Sequence, residues 1–116
     1  MNLYSNSVVF TASDTSAVLT PQVRGPLIAV AVPATSGITS LTLLFSPTEA
    51  GTFVPVKDDK GVDITITGIG SSAAIYDLTN VFPAGVGRLA SAGQGFLKLK
   101  ANASVSGTVT AYFLGE

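Results

Sequence analysis

The chain has 116 residues, enough for one domain and too few for two. Only 11% of residues are charged where about 25% is usual, 47% are apolar, and the mean hydropathy is +0.52. Six basic and seven acidic residues leave a net charge of −1 with no basic run, which argues against a nucleic-acid binder. The absence of histidine and cysteine removes the commonest general base, imidazole and thiolate metal ligands, and disulfides.

Residues 1–7 are polar apart from Met1, Leu3 and Tyr4, and are expected to form an extended arm unless a neighbour pins them, ahead of a single domain over residues 8–116. No basic segment followed by an apolar one opens the chain, so no secretory signal is expected. Residues 8–12 (VVFTA) and 17–20 (AVLT) read as two short strands around a Ser13-Asp14-Thr15 turn, a hairpin. Two prolines and a glycine in residues 21–26 break the ladder. Residues 27–32 then alternate Ile28, Val30 and Val32 against Ala29 and Ala31. The apolar run over residues 26–34 (PLIAVAVPA) is far short of the roughly 18 to 20 residues of a membrane span.

Residues 41–67 carry the clearest pattern, three strand signals in succession, read as an antiparallel meander. Leu41, Leu43 and Phe45 share one side of the first strand. Pro55 lies within the second, residues 52–56, and places it at a sheet edge or bulge because proline cannot donate to a ladder. In the third, Val62, Ile64 and Ile66 alternate with Asp63, Thr65 and Thr67, so one face is expected to be buried and the other wet. The connection over residues 57–61 (KDDKG) concentrates four charges and is expected at a solvated tip. Residues 73–78 (AAIYDL) read as a further strand, and residues 80–85 as a compact turn with Val81 and Phe82 inward. Leu97 and Leu99 oppose Phe96, Lys98 and Lys100, and residues 106–114 form a threonine- and aromatic-rich closing strand. Eight or nine short strands without helical periodicity indicate an all-β fold, an antiparallel β-sandwich or jelly roll.

Little of this composition suggests catalysis. The acids Asp14, Glu49, Asp58, Asp59, Asp63, Asp77 and Glu116 fall mostly in tips or at the terminus, where a solvated turn is the better reading than a glycosidase pair. Asp58, Asp59 and Asp63 lack the alternation and closing glutamate of an EF-hand loop and are flanked by Lys57 and Lys60. The glycine pairs Gly85/Gly87 and Gly93/Gly95 lack the third glycine of a dinucleotide loop, and Asn102-Ala103-Ser104 matches a glycosylation acceptor that three residues meet by chance. Tryptophan is absent, and buried roles are expected for two of Tyr4, Tyr76 and Tyr112 in preference to a sugar-stacking platform. No catalytic residue, cofactor or metal is therefore expected. A chain this poor in charge can bury apolar surface against other subunits instead. A standard interface of about 1,600 Å² yields on the order of 20 kcal/mol gross against association costs of about 4 to 15 kcal/mol.

Residues 41–46 (LTLLFS), 51–56 (GTFVPV), the acidic turn with residues 62–66 (VDITI), 81–85 (VFPAG) and 107–110 (GTVT) together resemble small β-sandwich virion proteins of tailed bacteriophages, including capsid decoration (cement) proteins. The family's Asp-Gly turn before the Gly-Thr-aromatic segment is replaced here by Pro47-Thr48-Glu49-Ala50. The resemblance implies a non-enzymatic subunit on the capsid surface of a virion, a homo-oligomer whose partners are the major capsid protein and copies of itself, with no nucleic acid or membrane. Its assembly contacts are then expected at Leu3 and Tyr4 in the arm, at Val23, Arg24 and Pro26 in one loop, and at Pro33 and Ile38 in another. The alternative is a carbohydrate-binding or adhesion module on a phage fibre or bacterial surface.

Overall fold

The computed structural model describes residues 2–16, 18–19, 27–34, 36–78 and 95–115. Seven antiparallel strands lie among them: β1 (Asn2–Thr15), β2 (Leu27–Val32), β3 (Leu41–Ser46), β4 (Val54–Pro55), β5 (Thr65–Ile66), β6 (Ala74–Asp77) and β7 (Phe96–Gly115). All belong to one curled sheet in the order β4-β3-β7-β2-β6, with β1 on the other edge of β7 and β5 beside β4 on β3. The fold is all-β, and the radius of gyration, 13.0 Å, matches the roughly 13 Å of one compact domain of this length.

β7 is the strand around which the others are laid. Along one edge its first half pairs with β3, from Ser46↔Phe96 to Leu41↔Ala101, and its second half pairs with β2, from Ala31↔Thr110 to Leu27↔Phe113. Along the other edge it pairs with β1 from Asn2↔Gly115 to Phe10↔Gly107. Between the halves β7 must bend to serve both parts of the sheet. The bend coincides with register shifts in β1 between Phe10 and Thr15, where Ala12 takes a φ of 47° and donates its N–H to Ser106 Oγ at 3.0 Å. Extra residues on one strand of a pair bend and twist it in this way. Gly107 (φ 152°), opposite Phe10, supplies a conformation that side chains with a Cβ rarely adopt.

The side-chain alternation survives the bend. Leu97, Leu99, Ala101, Val105, Val109, Ala111 and Phe113 all face one core, which Val8 and Phe10 of β1, Val30 and Val32 of β2, Leu41 and Leu43 of β3, and Leu19, Ile38 and Leu78 complete. Tyr4, Phe45 and Tyr76 pack against it, so two of the three tyrosines have the structural role expected of them. Pro55 lies in β4, at an end of the strand order, as its missing N–H requires. Ile64 and Ile66 are buried, whereas Val62 is 60% exposed. The reason is that residues 56–64 form a hairpin, held by Ile64 N–H to Val56 O and Asp58 N–H to Val62 O at 2.9 Å each, whose end projects beyond the core.

Three sequence expectations change. Among the described residues, Ser16 and Leu19 do not return along residues 8–12 as the hairpin expected with residues 17–20 requires. They continue beside β7, Ser16 N–H donating to Leu99 O at 2.9 Å and Leu19 N–H to Leu97 O at 2.7 Å. Residues 2–7 are not a separate arm but the first part of β1, pinned by residues 110–115 of β7. In β2 a register shift between Leu27 and Ala29 turns Leu27 inward and leaves Ile28 half-buried, so the core side reads Leu27, Val30 and Val32. The turn expected at residues 80–85 lies outside the described residues.

Gly95, just before β7, is buried where a Cβ would overlap the edge of the Phe45 ring. Gly95→Ala is expected to cost about 1 to 3 kcal/mol, as overpacking of a filled core does. Urea denaturation should register this as a lower midpoint with an unchanged slope.

Candidate assembly surface

Because side chains alternate along a strand, the inward parity of Val8, Phe10, Val30, Tyr76, Val109 and Ala111 fixes what lies on the opposite side of β1, β7, β2 and β6. The outward set is Leu3, Ser5, Ser7 and Val9 on β1, Thr108, Thr110 and Tyr112 on β7, Ala29 and Ala31 on β2, and Ile75 and Asp77 on β6. They stand in cross-strand rows. One runs Ser7, Thr110, Ala31, Ile75; the next runs Ser5, Tyr112, Ala29, Asp77. Ser7 and Thr110 share a hydroxyl hydrogen bond of 3.0 Å, which ties β1 to β7 on this outer side.

Two properties distinguish this face. Asp77, on its outermost strand, is the one carboxylate in the set, and no lysine or arginine belongs to it. Of the five large apolar side chains exposed among the described residues, three lie here: Leu3 at 64%, Val9 at 54% and Ile75 at 63%. Its relief is uneven. Ala31, Pro33, Ala74, Thr108 and Thr110 border a shallow, open depression of about 420 Å³ at the end of β2, and Leu3 and Val9 are exposed at the two ends of the outward row of β1, with Ser5 and Ser7 between them.

The expected contact residues are distributed unequally over this geometry. Leu3 is on the face. Pro33 borders the depression, close enough to Gly107 that a Cβ there would lie 3.6 Å from Pro33 Cγ. Tyr4 has the inward parity and packs against the core, and Ile38, 2% exposed, is a core residue with no surface to offer. Val23, Arg24 and Pro26 lie outside the described residues. Sequence reasoning did not single out Val9, Ala31, Ile75, Thr108 or Thr110. Their signal was parity: once β1 pairs with β7, each odd residue from Leu3 to Val9 faces away from the core.

Charge is concentrated elsewhere, on the hairpin end. Lys57 and Asp63 form an exposed ion pair across it. The Asp58 carboxylate accepts the N–H groups of Lys60 at 2.8 Å and Val62 at 3.0 Å, and Gly61 turns the chain at φ 79°. The hydrogen bond from Val62, then that from Lys60, and lastly the charge of Lys57 hold the Asp58 carboxyl below its ordinary range. Lys98 extends from β7 over the Phe53 ring, 4.5 Å from its centroid. Among the described residues no three histidine, cysteine or acidic side chains gather as a metal site, and no helix is long and apolar enough to cross a membrane. No protein-family model, curated protein or solved structure matches the chain.

A depressed folded-state pKa contributes stability that is present above the unfolded pKa, near 3.8, and is lost as pH falls through the folded value. Asp58→Ala is therefore expected to lower the urea midpoint at pH 7, with the difference from the parent chain closing as pH falls below the ordinary aspartate value near 3.8. A difference independent of pH would assign the effect to packing of the turn alone.

Proposed function

We propose that the chain is a non-enzymatic structural subunit of a tailed-bacteriophage virion, of the capsid decoration (cement) kind, seated on the head shell in contact with the major capsid protein and with copies of itself. The observation that carries this reading is the outer face of β1, β7, β2 and β6, an open surface with one carboxylate on its outermost strand and three exposed aliphatic side chains. The resemblance of residues 41–66, 81–85 and 107–110 to such proteins supplies the biological setting.

The physical task of a cement subunit suits such a face. A packed genome pushes neighbouring shell subunits apart, and a protein that spans their seam opposes this by the free energy of its contacts. Apolar contacts keep their strength when salt changes, whereas exposed ion pairs are screened within about 10 Å at 0.1 M ionic strength. The acids do not point to chemistry: Asp58 caps its own turn and Asp63 pairs with Lys57. Tyr4 and Tyr76 are engaged by the core, and Tyr76 Oη also accepts the Gly70 N–H at 3.1 Å, which leaves little for a sugar platform.

Deleting residues 1–7 would also strip β7 of its partner over residues 110–115, so a point substitution is the cleaner test. Leu3→Lys is expected to weaken attachment to emptied heads by about 10- to 100-fold, the equivalent of the roughly 1.5 to 3 kcal/mol of one buried leucine. Val62→Lys, equally exposed on the hairpin, should bind as the parent does. Co-sedimentation and imaging of particles before and after chemical stripping supply the measurement. Binding to a glycan array with no affinity for any shell would replace this reading by the adhesion module.

A further inference from the structure

We infer that the outer side of β3 and of the first half of β7 is a second contact surface, one that takes an acidic, extended segment of another protein through Lys98 and Lys100. It lies across the bend in β7 from the face assigned to the shell, and it does not depend on that assignment.

The inward parity of Leu41, Leu43, Leu97 and Leu99 places Thr42, Leu44, Phe96, Lys98 and Lys100 on the opposite side of the sheet. Lys98 pairs with Leu44, and Lys100 pairs with Thr42 on one edge of β7 and Thr15 on the other. The residues paired with the two lysines are thus apolar or carry a hydroxyl. A carboxylate directly across the ladder is the usual way to balance a lysine on a sheet, and none is there. Neither lysine forms an ion pair among the described residues: Asp63 is taken by Lys57, and Asp14, beside Thr15, accepts the Thr15 hydroxyl at 3.0 Å. Two positive charges therefore stand on one side of one strand, two residues and roughly 7 Å apart, without a counter-charge. Lys98 is also held in place. Its ammonium lies 4.5 Å from the centroid of the Phe53 ring, and Leu44 is only 6% exposed although it points away from the core, a burial that the stem of a neighbouring lysine can supply. A cation whose side chain is already ordered loses less entropy when an anion meets it.

Charge and spacing select the occupant. Carboxylates at alternate positions of an extended chain also fall roughly 7 Å apart on one side, so two of them meet Lys98 and Lys100 together. Thr42 and Thr65, whose hydroxyls are 3.0 Å apart in the same row as Lys100, add a donor for the carboxylate oxygens. The segment lies on the face and is held by side chains, because both edges of β7 are taken here, one by β3 and the other by Ser16 and Leu19, which donate to Leu99 O and Leu97 O. A second copy of this chain is not the match. Its acids, at positions 14, 49, 58, 59, 63, 77 and 116, include no two that are two residues apart. Single-stranded nucleic acid fits less well, since it is held by stacking bases on open aromatic faces, and the face of Phe53 nearest the cations is covered by Lys98. Two lysines make a weak contact by themselves, one that salt screens.

The probe is a short synthetic peptide of alternating glutamate and threonine, titrated into the isotopically labelled chain at low salt and followed by nuclear magnetic resonance. Shifts are expected to gather on residues 42–44 and 96–100. Lys100→Gln, exposed on the ladder, should weaken binding about two- to fivefold, and the double variant with Lys98→Gln about tenfold. Lys60→Gln on the hairpin should change nothing, the same peptide with glutamine for glutamate should not bind, and salt raised well above 0.1 M should weaken the parent's binding, as the Debye length of about 10 Å at that strength requires. If Lys98→Gln loosens the fold, Lys98→Arg, which keeps the charge over Phe53, should bind as the parent does, and Lys100→Gln then carries the comparison alone. Binding indifferent to Lys100→Gln, shifts confined to residues 57–63, no binding at low salt, or an oligothymidylate of equal length that binds more tightly than the peptide would each overturn the inference. Leu3→Lys lies on the other half of the sheet and should leave the titration as it is, so this contact and attachment to the shell stand or fall separately.

Discussion

Both edges of β7 carry hydrogen-bonded strands, β1 along one and β3 then β2 along the other, and the remaining strands take their positions from that fact. One side of the strand supplies seven inward side chains from Leu97 to Phe113, so the same segment is both the middle of the ladder and the floor of the core. The two roles require a bend that does not disturb parity. The shifted pairing around Ala12 and the open φ of Gly107 accommodate it. The arrangement is dominated by non-local contacts, since β1 lies at one end of the chain and β7 at the other. Their ladder forms only when nearly the whole chain is present, and folds of this kind are slow for that reason.

Where packing is local, the pattern of residues was legible. Leu41 and Leu43 face the core, Leu97 and Leu99 oppose Lys98 and Lys100, Ile64 and Ile66 are buried, and Pro55 is at an edge, all as alternation and proline chemistry indicate. What was not legible was decided by distant partners. Residues 2–7 carry almost no apolar signal because their attachment to β7 is made by backbone groups, which every sequence possesses. Residues 17–20 look like the return of a hairpin, yet Leu19 finds its partner in Leu97 of β7. Residues 95–100 and 106–114 read as two separate segments, yet β7 runs unbroken from Phe96 to Gly115, with Asn102 Oδ1 accepting the Thr39 N–H at 2.7 Å from the neighbouring loop. The candidate face was hidden for the same reason: the outwardness of Val9 and Ile75 is a property of pairing, and neither residue is unusual in its own segment.

The bend in β7 also divides the surface chemically. Its first half, with β3, β4 and the hairpin over residues 56–64, carries Lys57, Asp58, Asp59, Lys60, Asp63, Lys98 and Lys100. Its second half, with residues 2–10 of β1, with β2 and with β6, presents hydroxyls, alanines and aliphatic side chains, and Asp77 at the margin. A low total charge therefore does not mean a uniformly neutral exterior. One region keeps the molecule hydrated, and the other can exchange water for a protein neighbour without stranding an ion.

The register that sets Asn2 beside Gly115 also bears on how this fold would respond to force. Force entering through those two points would peel β1 from β7 one hydrogen-bonded rung after another, the geometry in which a ladder yields most readily. Force spread over the broad side of the sheet meets the whole ladder and the core beneath it at once. A fold with this register is suited to be gripped by its flank and is ill suited to act as a tether.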